Sequence, residues 1–220
     1  MNALVKYSIN ENDFALSQER VMFWEKQKTL ILADLHIGKT GHFRKSGIPV
    51  PQNIFKEDLQ RLFTQILFFK AEQVIIAGDL SHSRSNKEMD LFKKWRCDLS
   101  SLKMILVNGN HDILDEKWYE ELSIERKDKL HIEDFSFCHD PAEAINNALI
   151  EKQYTFCGHL HPGISMRGRG KQALTFPCFH FRNQVGVLPA FSRFTGYVPV
   201  IPQKGEHVFA IHDNGIMQVH

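Results

Sequence analysis

The sequence predicts an α/β protein, and three observations carry that expectation. Short continuous apolar runs, Thr29–Ala33, Val74–Ala77 and Met104–Val107, alternate with segments of helical periodicity. Such runs mark strands buried on both faces, and the alternation is that of a βαβ layer. The second half is rich in short strands separated by turn residues. Finally, several of the predicted strands end in a residue able to bind a metal ion.

In order along the chain, Leu4–Ile9, Phe14–Leu16, Val21–Trp24 and Thr29–Ala33 read as strands. Gly38–Gln52, with Gly41, Gly47, Pro49 and Pro51, reads as a long loop. Asn53 is placed to cap a helix whose apolar residues Phe55, Leu59, Leu62, Phe63, Ile66 and Phe69 recur at helical spacing. Val74–Ala77 is a strand, Ser85–Ser100 a helix, Met104–Val107 a strand and Glu116–Leu122 a short helix. Leu130–Ile132 and Phe135–Cys138 read as strands, Pro141 starts a helix continuing through Ala142–Ile150, and Tyr154–Cys157 is a strand. Strands follow at Ile164–Met166, Ala173–Phe181, Val185–Leu188, Val208–Ile211 and Ile216–Val219. No repeat, low-complexity segment or linker divides the chain, so residues 1–220 are expected to form one domain.

Composition excludes several classes. The chain is 43% hydrophobic and 24% charged, an ordinary globular balance that argues against disorder, collagen and coiled coil. No apolar run approaches the ~18 residues of a membrane span. No secretory signal is visible at the N-terminus, and Cys97, Cys138, Cys157 and Cys178 form no CxxC pair, so reduced thiols and a cytoplasmic location without membrane attachment are expected. The net charge of +1 argues at face value against a polyanion partner, yet it conceals segregation. Leu35–Lys56 contains no acid and four bases; Lys152–Gly205 contains no acid and seven; Asp112–Glu143 holds eleven acids against four bases. Clustered Lys and Arg of this kind suggest a basic face.

The strand ends carry the chemistry. In open α/β sheets, ligands bind beyond the carboxyl ends of strands. Asp34 with His36, Asp79, Asn110 with His111, His139, and His159 with His161 all fall there. Any one of these has an ordinary explanation as a turn residue or a solvated histidine; five recurrences are harder to dismiss.

The ordered set DLH, GDLSHS, GNHD, CHD and GHLH, running from Asp34 to His161, resembles the calcineurin-like metallophosphoesterases. The resemblance implies a four-layer αββα sandwich of two mixed β-sheets flanked by helices, with the strand-rich second half supplying the second sheet. It implies two divalent metal ions: Asp34, His36 and His161 with a bridging Asp79 on one, and Asn110, His139 and His159 with Asp79 on the other. Residues two apart on an extended backbone point the same way, so D-x-H and H-x-H could each aim two ligands together. Gly109 and Gly158 permit close approach of the backbone. The nitrogen and oxygen set suits manganese first, or iron, zinc or cobalt. Two such ions clamp an in-line displacement and make a bridging hydroxide available as the nucleophile. His111 is implied to be the acid beside the phosphorus, with Asp112 orienting its ring. Cys138 and Cys157 read as buried strand thiols.

Flanking segments narrow the resemblance. GKTGHFRKSGIPVP, GHLHPGISMRGRG, FPCF and LPAFSRFTGY resemble the ligase-associated DNA damage response endonucleases, bacterial manganese-dependent phosphodiesterases encoded near a DNA ligase and a helicase. Ser192 and Tyr197 stand where that branch favours glycine, and His180 where tryptophan is common. DNA is then the expected substrate, in repair, with ligase and helicase as implied partners. Lys39, Arg44, His82, Arg84, Arg167 and Arg169 are candidate phosphate contacts. A small-molecule phosphodiesterase, nucleotide pyrophosphatase or phosphomonoesterase, and a non-catalytic binding module, stay open at this stage, as does a homodimer.

Overall fold

The structure is a computed structural model that describes residues 3–51, 53–83, 86–144, 153–168 and 172–220. Its first sheet opens as an antiparallel run, β1 (Leu4–Ile9), β2 (Asn12–Ser17), β3 (Val21–Trp24) and β4 (Thr29–Leu32). After β4 come two helices, α1 (Lys39–Lys45) and α2 (Ile54–Phe69). The chain returns to the sheet as β5 (Gln73–Ala77), crosses by α3 (Lys87–Asp98) to β6 (Lys103–Val107), and by α4 (Glu116–Glu121) to β7 (Ile124–Lys127). These strands are parallel from β4 onward, as helical crossovers require.

The second sheet takes β8 (Leu130–Ile132), β9 (Phe135–Phe137), β10 (Tyr154–Cys157), β11 (Pro162–Arg167), β12 (Ala173–Phe181), β13 (Val185–Val187), β14 (Val198–Pro199), β15 (His207–His212) and β16 (Gly215–Gln218). Its order is β14-β11-β12-β13-β10-β9-β8, with β15 joined to β12 and β16 to β15. The strand β10 is parallel to both β9 and β13, and most other pairs are antiparallel, so both sheets are mixed.

The continuous apolar runs of β4, β5 and β6 follow from burial on two sides. Leu30, Leu32, Val74, Ile76, Met104 and Leu106 face the helices, packing on Phe55, Leu59, Leu62, Met89, Phe92 and Tyr119. The alternate residues Ile31, Ala33, Ile75, Ala77, Ile105 and Val107 face the second sheet, against Phe135, Phe137, Phe156 and Phe179. Phe135 and Phe156 stack at 5.5 Å between ring centroids, and Phe14 meets each edge-on at 5.3 and 5.4 Å. On the far face of the second sheet, Ala144 packs with Cys138, Cys157, Val185 and Val187, where residues 141–144 start a helical turn. Helix, sheet, sheet and helix are thus the layers. Burial pushes the Cys138 thiol up to about 12 and also raises the Cys157 thiol, as expected of packing residues.

Four local expectations change. The segment Gly38–Gln52 is not a loop throughout, because α1 occupies its first half. Gly41 lies against Asn86, where a Cβ would sit 2.9 Å from the amide nitrogen, so tertiary contact stabilises a helix that composition alone disfavours. Asn53 does not cap the amides of α2; its side chain donates to Glu57 at 2.5 Å. Strand β7 carries no sequence signal, because Ile-Glu-Arg-Lys has one apolar residue; its backbone pairing to β6 makes it a strand. The two-residue β14 has too few residues for a sequence signal. The predicted helix past Ala144 lies mostly outside the described residues.

Phe135→Ala is expected to lower unfolding free energy by about 3–5 kcal/mol. The measurement is the urea midpoint, which should fall with an unchanged slope.

Candidate metal centre

Parallel β4, β5 and β6 end at one edge of the first sheet, and parallel β9 and β10 end beside it in the second. Their following residues are tied to one another within each sheet, Asp34 N donating to Gly78 O at 3.1 Å, His36 N to Asp79 O at 2.9 Å and Gly158 N to His139 O at 3.1 Å, and between the sheets by His159 N donating to Asp34 Oδ2 at 3.0 Å. The side chains of Asp34, His36, Asp79, Asn110, His139, His159 and His161 are thereby brought together.

The paired motifs do not converge through extended backbone, as the two-residue spacing suggested. Asp34, His36, Asp79, His159 and His161 all adopt the left-handed conformation, with φ of 55°, 49°, 52°, 69° and 48°. Each such turn costs about 1–2 kcal/mol for a residue with a Cβ. Asp tolerates the region better than most residues, and strain of this kind collects at functional sites. Gly78 has φ +88°, and a Cβ there would lie 1.9 Å from His139 Nδ1. At Gly109, a Cβ would lie 2.3 Å from both the amide nitrogen and Oδ1 of Asp79. Without side chains at these positions, the β5 and β6 ends can close on the Asp79 and His139 side chains.

The electrostatics of the centre point to cations. His139 Nδ1 lies 3.2 Å from Ala77 O, which fixes the proton on Nδ1 in the neutral ring and leaves a lone pair on Nε2. That lone pair meets Asn110 Oδ1 at 3.0 Å, His159 Nδ1 at 3.0 Å and Asp79 Oδ1 at 3.5 Å. Beside it, His36 Nε2 lies 3.2 Å from His161 Nε2 and 3.9 Å from Asp79 Oδ2, while His161 Nε2 lies 3.6 Å from Asp34 Oδ1. The carboxylate and amide oxygens facing that lone pair in a buried place repel it unless a cation lies among them. Among the described residues, two groups have ligand atoms spaced for a metal ion: Asp34, His36 and His161, and Asp34, Asp79 and His139. The donors are nitrogen and oxygen, and Asp34, His36, Asp79 and His139 are buried. Burial also drives the His36 pKa far down, with the charges of Lys39 and His161 adding to it. The carboxylates are held from behind: His111 N donates to Asp79 Oδ1 at 3.0 Å, and His159 N donates to Asp34 Oδ2 at 3.0 Å.

Around the centre, His111 and His82 face each other with ring centroids 4.5 Å apart, and His36 lies 5.6 Å from His111 and 5.4 Å from His82. The His82 pKa is pushed down to about 4, by burial first and then by His111, Lys39 and His42. Lys39 is half-buried within electrostatic range of Asp34 and Asp79; burial lowers its pKa while the two carboxylates raise it.

The remaining expectations divide. Asp112 does not orient the His111 ring. Its Oδ2 accepts from Gly109 N at 2.9 Å and its Oδ1 from Ser81 N at 3.0 Å, so it pins the His111 loop to the loop after β5. Burial raises its pKa against those backbone donors. Arg44 is engaged away from the centre, with Glu88 Oε1 at 2.5 Å and Pro51 O at 3.3 Å, because the acid-free stretch folds against an acid from α3. Arg167 is exposed at the far end of β11, about 20 Å along the strand from His161. Arg84 and Arg169 lie outside the described residues.

Sequence reading missed the support behind Asp34. Phe191 N donates to Ala33 O at 2.8 Å and Ser192 N to Asp34 O at 3.2 Å. That segment is held in turn by Arg20, which donates to Ala190 O and Ser192 O at 3.2 and 2.9 Å, and by buried Arg61 stacked 3.9 Å over the Phe191 ring. Neither arginine lies in a motif or at a marked spacing, so nothing local signals the contact.

Known proteins resemble this chain in sequence or in fold. The family model described as calcineurin-like phosphoesterase matches residues 27–177. The crystal structure of a nuclease, MPE, from Pseudomonas putida is similar at 27% identity and a TM-score of 0.80, over 94% of this chain and 96% of that one. A protein of unknown function from Aquifex aeolicus matches at 17% identity and a TM-score of 0.44, over 65% of this chain and 82% of that one. The E. coli phosphoesterase Yfce matches at 16% and 0.39, over 74% and 91%. No curated protein sequence matches the chain.

Gly78→Ala is expected to push His139 aside and weaken metal binding by about 10–100-fold, the range seen when a ligand loses its orientation. Isothermal titration with Mn²⁺ on the folded variant reads the effect.

Proposed function

Because this chain belongs to the calcineurin-like phosphoesterase family, which matches it over residues 27–177, we propose that it is a metal-dependent nuclease cleaving DNA phosphodiester bonds. That it is a metal-dependent phosphoesterase, a hydrolase, follows from the family itself. The observation that carries the finer reading is the similarity to a nuclease along nearly the whole of both chains.

In this reading Asp34, His36 and His161 would hold one divalent ion and Asn110, His139 and His159 a second, with Asp79 a ligand available to both. Manganese fits the mixed nitrogen and oxygen donors first, with iron, zinc and cobalt as alternatives. When bound, the ions supply Lewis acidity toward phosphoryl oxygens and lower the pKa of water. The protein's own groups do the rest. His111 gives a proton to the leaving alkoxide and shares its charge in the transition state. Asp112 keeps His111 in place through the backbone. Lys39 offers an ammonium to a non-bridging phosphate oxygen, and His82 lines the same wall. The crowding of Gly78 and Gly109 keeps the ligands from relaxing apart.

The wider reading is a single domain over residues 1–220, acting in DNA repair in the cytoplasm, with a DNA ligase and a helicase as partners. The motif resemblance supports the repair role and the partners. No helix among the described residues is long and apolar enough to cross a membrane. A homodimer is compatible with this arrangement.

Hydrolysis is best compared across single-stranded DNA, duplex DNA, RNA, bis-p-nitrophenyl phosphate and p-nitrophenyl phosphate, each with Mn²⁺ and after chelation. Cleavage of DNA, and of the diester faster than the monoester, is expected; a strong monoester preference would replace the reading with that of a phosphatase. His111→Ala should lower diester turnover by about 10²–10⁴-fold with metal content by elemental analysis nearly intact. Loss of both metals in that variant would remove the role assigned to His111.

A further inference from the structure

A chain of aromatic rings leads away from the metal centre. The His82 ring, 4.5 Å from that of His111 between centroids, lies 6.0 Å from that of His42. The Phe43 ring follows His42 at 6.1 Å, and Phe43 meets Phe194 edge-on at 5.4 Å and 84°. His42 and Phe43 stand in α1 three and four residues after Lys39, the spacing that puts side chains on one helix face. At the start of that face, Lys39 lies within electrostatic range of Asp34 and Asp79. The face therefore carries its ammonium at the centre and its rings about 6 Å further along the helix axis.

Phe194 is held to the centre through a different segment. That segment is tied on either side of Phe194 to the backbone of two proposed metal ligands: Ser192 N donates to Asp34 O at 3.2 Å, and Val198 N donates to His161 O at 3.0 Å. Between those ties, Phe194 N donates to Ser192 Oγ at 3.2 Å. The glycine that the resembling endonucleases favour at position 192 could not accept that bond.

Packing does not account for the two phenyl rings. Among the described residues, the hydrophobic cores include neither Phe43 nor Phe194. Both are half-buried, and His42 is exposed. An edge-on pair also leaves ring faces that the partner does not cover, and an aromatic face is where a further ring stacks.

We propose that Phe43 and Phe194, with His42 at their inner end, form a stacking platform for an unpaired base of a nucleotide that flanks the scissile phosphate. The inference rests on the nuclease reading and adds to it the residues that hold the base. Every base has a π face, so the platform takes a base without reading its identity. A base inside a duplex has both faces covered by its neighbours and is not free to stack there.

The test uses the full chain with Mn²⁺ and oligodeoxynucleotides whose single phosphodiester fixes the point of cleavage, the other linkages being methylphosphonate. An abasic residue replaces each nucleotide in turn on either side of that linkage. In the wild type, removing the base from one flanking nucleotide should lower kcat/KM about tenfold, the scale of one base–aromatic stack. Phe43→Leu/Phe194→Leu keeps apolar side chains and removes the π faces. It should lose about tenfold on the substrate with all its bases and lose nothing further at the abasic position, since a base and the ring under it couple in a double-mutant cycle. Phe43→Trp should retain wild-type kcat/KM, and Mn²⁺ affinity by isothermal titration should be unchanged in both variants. Equal losses for the leucine variant on abasic and complete substrates would assign the rings a structural role and overturn the platform. No abasic position lowering kcat/KM in the wild type would overturn it as well, leaving the nuclease reading standing. Hydrolysis of bis-p-nitrophenyl phosphate by the wild type with no cleavage of any nucleic acid would overturn the nuclease reading and the platform with it.

Discussion

The structure turns on a repulsion. At the meeting edge of the two sheets, imidazole nitrogens and carboxylate and amide oxygens approach to between 3.0 and 3.9 Å. Left alone, such groups would separate. Much of what surrounds them opposes that separation. Backbone amides of His111 and His159 donate to the two carboxylates, Ala77 O fixes the His139 tautomer, and five residues accept left-handed backbone to aim inward. The cations that the family requires are what make such an arrangement favourable.

Packing explains why the backbone can bear this load. The β4–β6 layer is apolar on both faces, so the register of each strand is set twice, by helices on one side and by phenylalanines on the other. A one-residue slip would turn every one of those side chains to the wrong layer. The strand ends are therefore rigidly placed, and the loops beyond them are short. Behind Asp34, the segment 190–192 adds a further brace, with Arg20 and Arg61 holding it through its carbonyls. Asp112 does the same service for His111, acting on the loop and not on the ring.

Charge on the cleft is likewise a property of the folded chain. The net charge is nearly zero, yet the basic and acidic blocks of the sequence line different cavities. Membership of a block did not determine the role of each base. Arg44 is consumed by Glu88, Arg167 is carried away along β11, and Lys39 alone of the three stands in range of the buried carboxylates.

Periodicity and apolar runs identified the main strands and helices, because burial on two faces or on one stripe leaves a direct mark on residue type. The five motifs identified the residues that would gather at the strand ends, since those ends share one edge in any parallel βαβ layer. Several features had no such mark. The α1 helix depends on Asn86 against Gly41, the β7 strand on backbone pairing to β6, and the brace of Asp34 on arginines 14 and 27 residues away from it in sequence, on either side. The aim of the paired D-x-H and H-x-H side chains depends on left-handed backbone that a two-residue spacing does not disclose. Residue types and local order thus determined the layers, the strand ends and the chemical inventory of the centre. Only the tertiary structure decided which groups touch, which charges are neutralised and which line a common cavity, because those depend on contacts between segments that are distant along the chain.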